Sequence, residues 1–280
     1  MDTRSKRGSY PARRDWQIGS RWFVFSILTS RYGGSPESTF DYDIKQMANK
    51  PFSDYLQSVE QAELSDSFWK FGLIQRLDTS VASSPAFHIY QAAQVKGRDK
   101  GFLSRDITVE NIILYRGDIH HIYPKKFLKT NNISRGDYNQ IANYVLMQQE
   151  INIAIGAKSP NIYFQELKKQ CEGSKLKYGA IDTMDELLDN LKTHCIPESI
   201  FDSGIDSYDD FLKDRRKLIA EKMRDYYYSL YCTVLQIFLK ILLCDLVDIL
   251  NEVPLSLLLL HLPRIQEQTC PKSESFAPSP

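Results

Sequence analysis

Residues 111–124 read NIILYRGDIHHIYP, and how this stretch is parsed decides the architecture. It is rich in β-branched and aromatic side chains and is interrupted by Arg116-Gly117-Asp118, so it predicts two short strand pieces around a turn. The polar segment KTNNISRGDYNQ (129–140) follows, dense enough in Asn, Ser and Gly to predict irregular loop. Next comes IANYVLM (141–147), a further strand-like piece. EINIAIGAKSPNIYFQEL (150–167) then predicts one helix to about Ile155 and another after Pro160. The middle of the chain is therefore strand, loop, strand, helix.

Both flanks carry a helical period instead. Phe40, Ile44 and Met47 recur at helical spacing in FDYDIKQMA, and FSDYLQSVEQAEL (52–64) predicts a second helix. SDSFWKFGLIQRL (65–77) predicts another, with Ser65 as its cap, and Gly33-Gly34-Ser35-Pro36 breaks the helical pattern that begins at about Trp16 from the helix through Phe40. Toward the C-terminus no Gly or Pro occurs between Ile205 and Val253, and Ser207 with Asp210 suits a capping box. Phe211, Leu218, Ile219, Met223, Tyr226, Leu230, Val234 and Ile237 make a long apolar stripe, the mark of a packing helix. The expected fold class is mainly α with a small α+β insert. Its expected divisions are a disordered basic leader (1–15), a helical domain (16–103) and the insert (104–170). An acidic linker with a short helix (171–206), the packing helix or helices (207–252) and a disordered tail (253–280) complete it.

With 280 residues, 42% of them apolar, the chain can bury a sizeable core. Lys+Arg and Asp+Glu balance at 35 each, which excludes a global field drawing the molecule onto nucleic acid or an anionic membrane. Local asymmetry remains: Glu110–Lys177 holds ten basic against six acidic residues, and Gly179–Asp214 holds two against ten. The first of these fits a phosphate-facing surface, although charge runs are commonly solvated faces. The five cysteines are scattered and unpaired in pattern, so a disulfide framework and a structural zinc are not expected, and a cytoplasmic location is. The basic leader lacks the apolar core of a signal peptide, and no apolar run is long enough to span a bilayer, so no membrane partner is expected.

Phosphodiester hydrolysis needs a cation to stabilise charge on the phosphate and a base to take a proton from water. Neighbouring strand residues point to opposite faces, so His120 and His121 can divide such tasks. The order His120-His121, Asn143, Asn152 resembles the HNH, or ββα-metal, nuclease pattern. HHIYPKKFL and IANYVLMQQEINIAIGAKSPNIYF are similar, more narrowly, to the C-terminal nuclease part of GmrSD-type restriction endonucleases. RWFVFSILTSRYGGSPESTFDYDI and YDDFLKDRRKLIAEKMRDYYYSL resemble helical regions of the same family; the Leu-rich stretch beyond about Tyr231 resembles none of it.

That resemblance implies a helical bundle carrying a ββα-metal motif, and a DNA endonuclease of a restriction or anti-phage system leaving 5′-phosphate and 3′-hydroxyl ends. It implies His121 as general base, His120 and Asn152 as metal ligands, and Asn143 as the brace that holds the loop beside His121. Many relatives carry Asp or Glu at the position of His120. The implied cofactor is a divalent ion, Mg²⁺ first, with Mn²⁺ the alternative that a His ligand favours. Lys125, Lys126 and Lys158 are expected phosphate contacts. Family members join this nuclease to a ParB-like nucleotide-hydrolysing domain. No segment here resembles that domain and there is no GxxxxGK[ST] loop, so the expected partner is a ParB-like domain of a longer protein or a separate subunit. Two alternatives stay open: a nucleic-acid-binding module that does not cut, and a helical interaction subunit or truncated product that serves such a partner. His88, His194 and His261 read as structural, Arg31 and Glu37 as part of a structured turn, and Trp16, Trp22 and Trp69 as core. Lys168, Lys169, Lys175 and Lys177 read as a solvated face.

Overall fold

The break at Gly33–Pro36 separates α1 (Arg13–Thr29) from α2 (Pro36–Asn49), and Pro51 closes the gap to α3 (Phe52–Glu63). A computed structural model describes the backbone of residues 13–252 and the side chains of 16–231; the expected tail and residues 1–12 of the expected leader lie outside the described residues, while residues 13–15 of that leader begin α1. The chain divides into two units, Met1–Cys232 and Thr233–Pro280, and the account below concerns the first. Ser65 Oγ accepts from the Phe68 amide, as its expected role as a cap requires. The helix it starts is a π-turn (Phe68–Gly72) running into α4 (Leu73–Arg76). After α5 (Pro85–Gly97) the expected strand–turn–strand is not what forms.

NIIL belongs to a short helix, α6 (Val109–Leu114). The reason is its cap: Thr108 Oγ1 accepts from the Asn111 amide while Asn111 Oδ1 accepts from the Thr108 amide, a reciprocal box that outweighs the β-propensity of two isoleucines. The Arg-Gly-Asp turn ends α6. Arg116 takes a left-handed conformation (φ 56°), and the Gly117 amide donates to Ile112 O at 2.7 Å, where a Cβ would collide with the Ile112 side chain.

The second half of the stretch does form a strand. β1 (Ile119–His121) pairs antiparallel with β2 (Tyr144–Leu146), in the register Ile119–Leu146, His120–Val145, His121–Tyr144. The polar connection between them is less irregular than expected, holding α7 (Lys125–Thr130), α8 (Arg135–Tyr138) and a 3-10 turn at Ile141–Asn143. β2 leads into α9 (Gln149–Ile155), then α10 (Pro160–Cys171). The molecule is thus mainly helical with one two-stranded sheet.

Residues 171–206 are not a linker. They form α11 (Met184–Thr193) and put Tyr178, Ile181, Leu187, Leu191 and Ile200 into the same core as Ile122, Val145, Ile151 and Phe164. Their charge misleads because Asp185, Asp189 and Glu198 lie on the outer face while a 3.6-residue apolar period packs inward. The chain passes so close to Leu103 O at Gly179 that a Cβ would overlap that oxygen. The N-terminal helices build a second core, in which Phe25, Leu56, Leu73 and Phe87 meet Ile219, Met223 and Tyr227 of α12 (Tyr208–Glu252). Glu60 ties α3 to α1 through Arg21 at 2.5 Å, and to α12 through the Tyr227 hydroxyl. Trp69 is buried as expected, but Trp16 is 63% exposed on α1 and belongs to no core. Among the described residues no helix is long and apolar enough to cross a membrane.

Candidate functional site

β1 carries both histidines in adjacent places, so the pleat sends them to opposite faces. His120 is buried, and its Nε2 has no hydrogen-bond partner among the described residues. Burial pushes its pKa down from the ordinary histidine value, against an upward pull from the Asp118 charge. His121 is half-buried at the end of β1. Its Nε2 lies 3.1 Å from Asn139 Oδ1, and its ring meets the Tyr144 ring edge-on at 5.2 Å. With Asn139 as acceptor, Nε2 carries the proton and Nδ1 keeps a lone pair. Burial lowers the His121 pKa; the Asn139 contact opposes this, and the charges of Lys125 and His120 add to it. The neutral imidazole, the form able to accept a proton, is thus favoured over a wider pH range than in water.

Asn143 is fully buried just before β2. Its Oδ1 accepts from the Tyr123 amide at 2.8 Å, and its Nδ2 donates to Tyr123 O and Tyr138 O, each at 3.2 Å. Its own carbonyl accepts from the Ile122 amide at 2.9 Å. One side chain therefore closes the chain leaving His121 onto the chain entering β2, and it satisfies backbone groups that burial would leave unpaired. Asn152 is half-buried on α9, and no described residue hydrogen-bonds its carboxamide.

The three lysines divide. Lys125 and Lys126 are exposed in the first turn of α7, directly after β1, and Lys125 Nζ lies 5.6 Å from the centre of the Tyr138 ring. Lys158 is engaged elsewhere: its ammonium bonds Glu166 at 2.9 Å and the Tyr178 hydroxyl, in a cluster that Lys177 joins. That cluster holds Glu166 down to about 2, the hydrogen bond from Lys177 being the largest cause. Lys158 and Lys177 are thus parts of a partly exposed ion-pair network rather than free cations.

Among the described residues no three His, Cys, Asp or Glu side chains come together as a metal cage. The HNH pattern asks for less, one ligand on the strand and one on the helix. The unpartnered Nε2 of His120 and the unpartnered carboxamide of Asn152 are chemically suited to those two places.

Sequence reasoning passed over the groups that surround these residues. Nothing in the polar loop marked Asn139 as the partner of His121. Arg215 of α12 donates to Ala142 O and Tyr144 O, both at 2.8 Å, and so grips the backbone on either side of Asn143. A signal for it existed. Phe211, Arg215, Ile219, Met223 and Tyr227 are spaced by four, so the arginine stands inside the apolar stripe. His194, in contrast, is structural as expected: fully buried, it sets Nε2 2.8 Å from Lys100 O, and its pKa is lowered to about 3 by burial.

Comparison with known proteins adds one likeness. The chain is 25% identical over 218 residues to an uncharacterized protein of Methanocaldococcus jannaschii, covering 73% of this chain and 36% of that protein. It spans only about a third of that relative's length. No family model matches the chain, and no solved structure does.

Proposed function

We propose that this chain is a metal-dependent DNA endonuclease of the HNH type, with β1, β2 and α9 as its ββα unit. The observation that carries the reading is the Asn143 carboxamide, bonded to both the amide and the carbonyl of Tyr123, two residues beyond His121. A brace of that kind is what the resemblance implies, and a surface asparagine has no reason to make it. Water attacking phosphorus would give its proton to Nδ1 of His121, with Asn139 and the Tyr144 ring orienting the imidazole. His120 and Asn152 would hold a divalent cation, which would supply charge stabilisation at the scissile phosphate. Lys125 and Lys126 would meet the DNA backbone. A ParB-like nucleotide-hydrolysing partner, on the resemblance alone, would govern target choice.

The test is nicking of supercoiled plasmid by the purified chain with Mg²⁺ or Mn²⁺, beside His121→Ala. The parent is expected to nick, faster with Mn²⁺ because the strand ligand is an imidazole. His121→Ala is expected to lose about 100-fold or more, the usual weight of a general base. Equal nicking by the two proteins rejects His121 as the base. Inactivity of both, with and without an added nucleotide-hydrolysing partner, rejects the enzyme in favour of a binding module.

A further inference from the structure

Arg215 is fully buried, and among the described residues no carboxylate pairs with it. Its hydrogen bonds fall mainly on backbone carbonyls: Nη1 donates to Ala142 O and Tyr144 O, and Nε and Nη2 donate to His194 O at 3.2 and 3.1 Å, with the Tyr90 hydroxyl also beside the guanidinium. An unpaired buried cation is costly, and an apolar residue between Phe211 and Ile219 would continue the stripe without that cost. The guanidinium is explained by what it holds. Its fork satisfies inward-turned carbonyls on both sides of Asn143, and the second of them belongs to Tyr144. Tyr144 pairs with His121 across the sheet and lays its ring against the imidazole.

We infer that Arg215 is a positioning residue of the site, fixing His121 by two routes. One runs through Ala142 and Asn143 to the Tyr123 backbone, and the other through Tyr144 to the imidazole itself. α12 thereby becomes part of the site's support although none of its side chains is assigned to substrate. The inference rests on the reading of His121 as the base, yet its first readout needs neither metal nor DNA.

The experiment compares Arg215→Met and Arg215→Lys with Met223→Ala. Met223 is an equally buried member of the same stripe that makes no hydrogen bond to these carbonyls. All proteins are held well below their melting temperatures. The His121 imidazole is titrated by NMR in the full chain without cation, and plasmid cleavage is followed in parallel. Arg215→Met is expected to move the His121 titration midpoint by about 0.5 pH unit or more. It is also expected to lower kcat about tenfold or more with KM little changed, since displacement of a base costs rate rather than binding. Arg215→Lys should recover part of both effects, and Met223→Ala should change neither. The inference is overturned if the Arg215 variants fold and leave the His121 midpoint in place, or if Met223→Ala shifts it equally. Should Arg215→Met not fold, Arg215→Lys decides alone by the same criterion. If no protein cleaves but the midpoint still moves, the positioning role stands and the nuclease reading falls.

Discussion

Asn143 shows how much one residue can hold. It makes three side-chain hydrogen bonds in a site with no exposure, each to backbone that has no water to turn to. Asn143→Ala would leave the Tyr123 amide, the Tyr123 carbonyl and the Tyr138 carbonyl unpaired. At roughly 1–3 kcal/mol for each buried orphan, the loss should be at least about 3 kcal/mol. Urea unfolding measures it, and a loss under about 1 kcal/mol would mean that the loop finds other partners. Asn143→Asp keeps the acceptor but neither donor, so it should be destabilised as well. The sequence marked Asn143, His120 and His121 through a resemblance to a nuclease pattern. Asn139 and Arg215 went unmarked because their roles are contacts made across folded distance, which no local pattern states.

At the scale of elements, helix α2 separates what periodicity predicts from what packing selects. Phe40 and Ile44 fall at helical spacing and the helix forms, yet they are 47% and 64% exposed, while Asp43 is the buried side chain. The reason is Arg31 in the turn just past α1. Its guanidinium bonds Asp43 at 2.6 and 2.9 Å and Glu63 at 2.5 Å, and the hydroxyls of Tyr32 and Tyr55 complete the Asp43 shell. The carboxyl is held below the usual range because these hydrogen bonds outweigh its burial. Asp43→Ala leaves a nearly buried cation short of a partner and should cost about 3 kcal/mol. A group whose pKa is depressed by folding contributes stability above its unfolded value and loses it as the pH falls. The gap between parent and variant should therefore narrow below about pH 4, which thermal melts at pH 7 and pH 3 can measure. The same lesson applies to α6, where a capping box decided the outcome, and to residues 171–206, where net charge hid a packed face.

Over the whole molecule the elements converge on a few buried polar centres, and His194 is one. Its carbonyl receives the Tyr90 hydroxyl of α5 and the Arg215 guanidinium of α12, while its ring packs edge-on against Phe102. Burial keeps the ring neutral in the folded state, with a pKa near 3 against about 6.5 unfolded. Between those values the unfolded chain binds a proton that the folded one refuses, so stability is complete above about pH 6.5 and falls as the pH drops. Between pH 7 and pH 5 the parent should lose about 2 kcal/mol that His194→Gln does not lose. Equal losses in denaturant titrations at the two pH values would place the folded pKa near the ordinary one.

The sequence by itself determined the mainly helical class, the helices α2, α3, α4, α9, α10 and α12, the break at Gly33–Pro36 and the order β1, β2, α9 around His120, His121, Asn143 and Asn152. These are statements about neighbours in the chain: side-chain period, cap and turn chemistry act over a few residues and can be read along it. Only the tertiary structure decided that Asn139 would meet His121, that Asp43 rather than Phe40 would turn inward, that Lys158 would be occupied by Glu166, and that Arg215 would grip the flanks of Asn143. The physical reason is common to all four. A buried polar group takes whichever partner the packed elements bring within hydrogen-bond reach, and that partner is set by how distant segments meet.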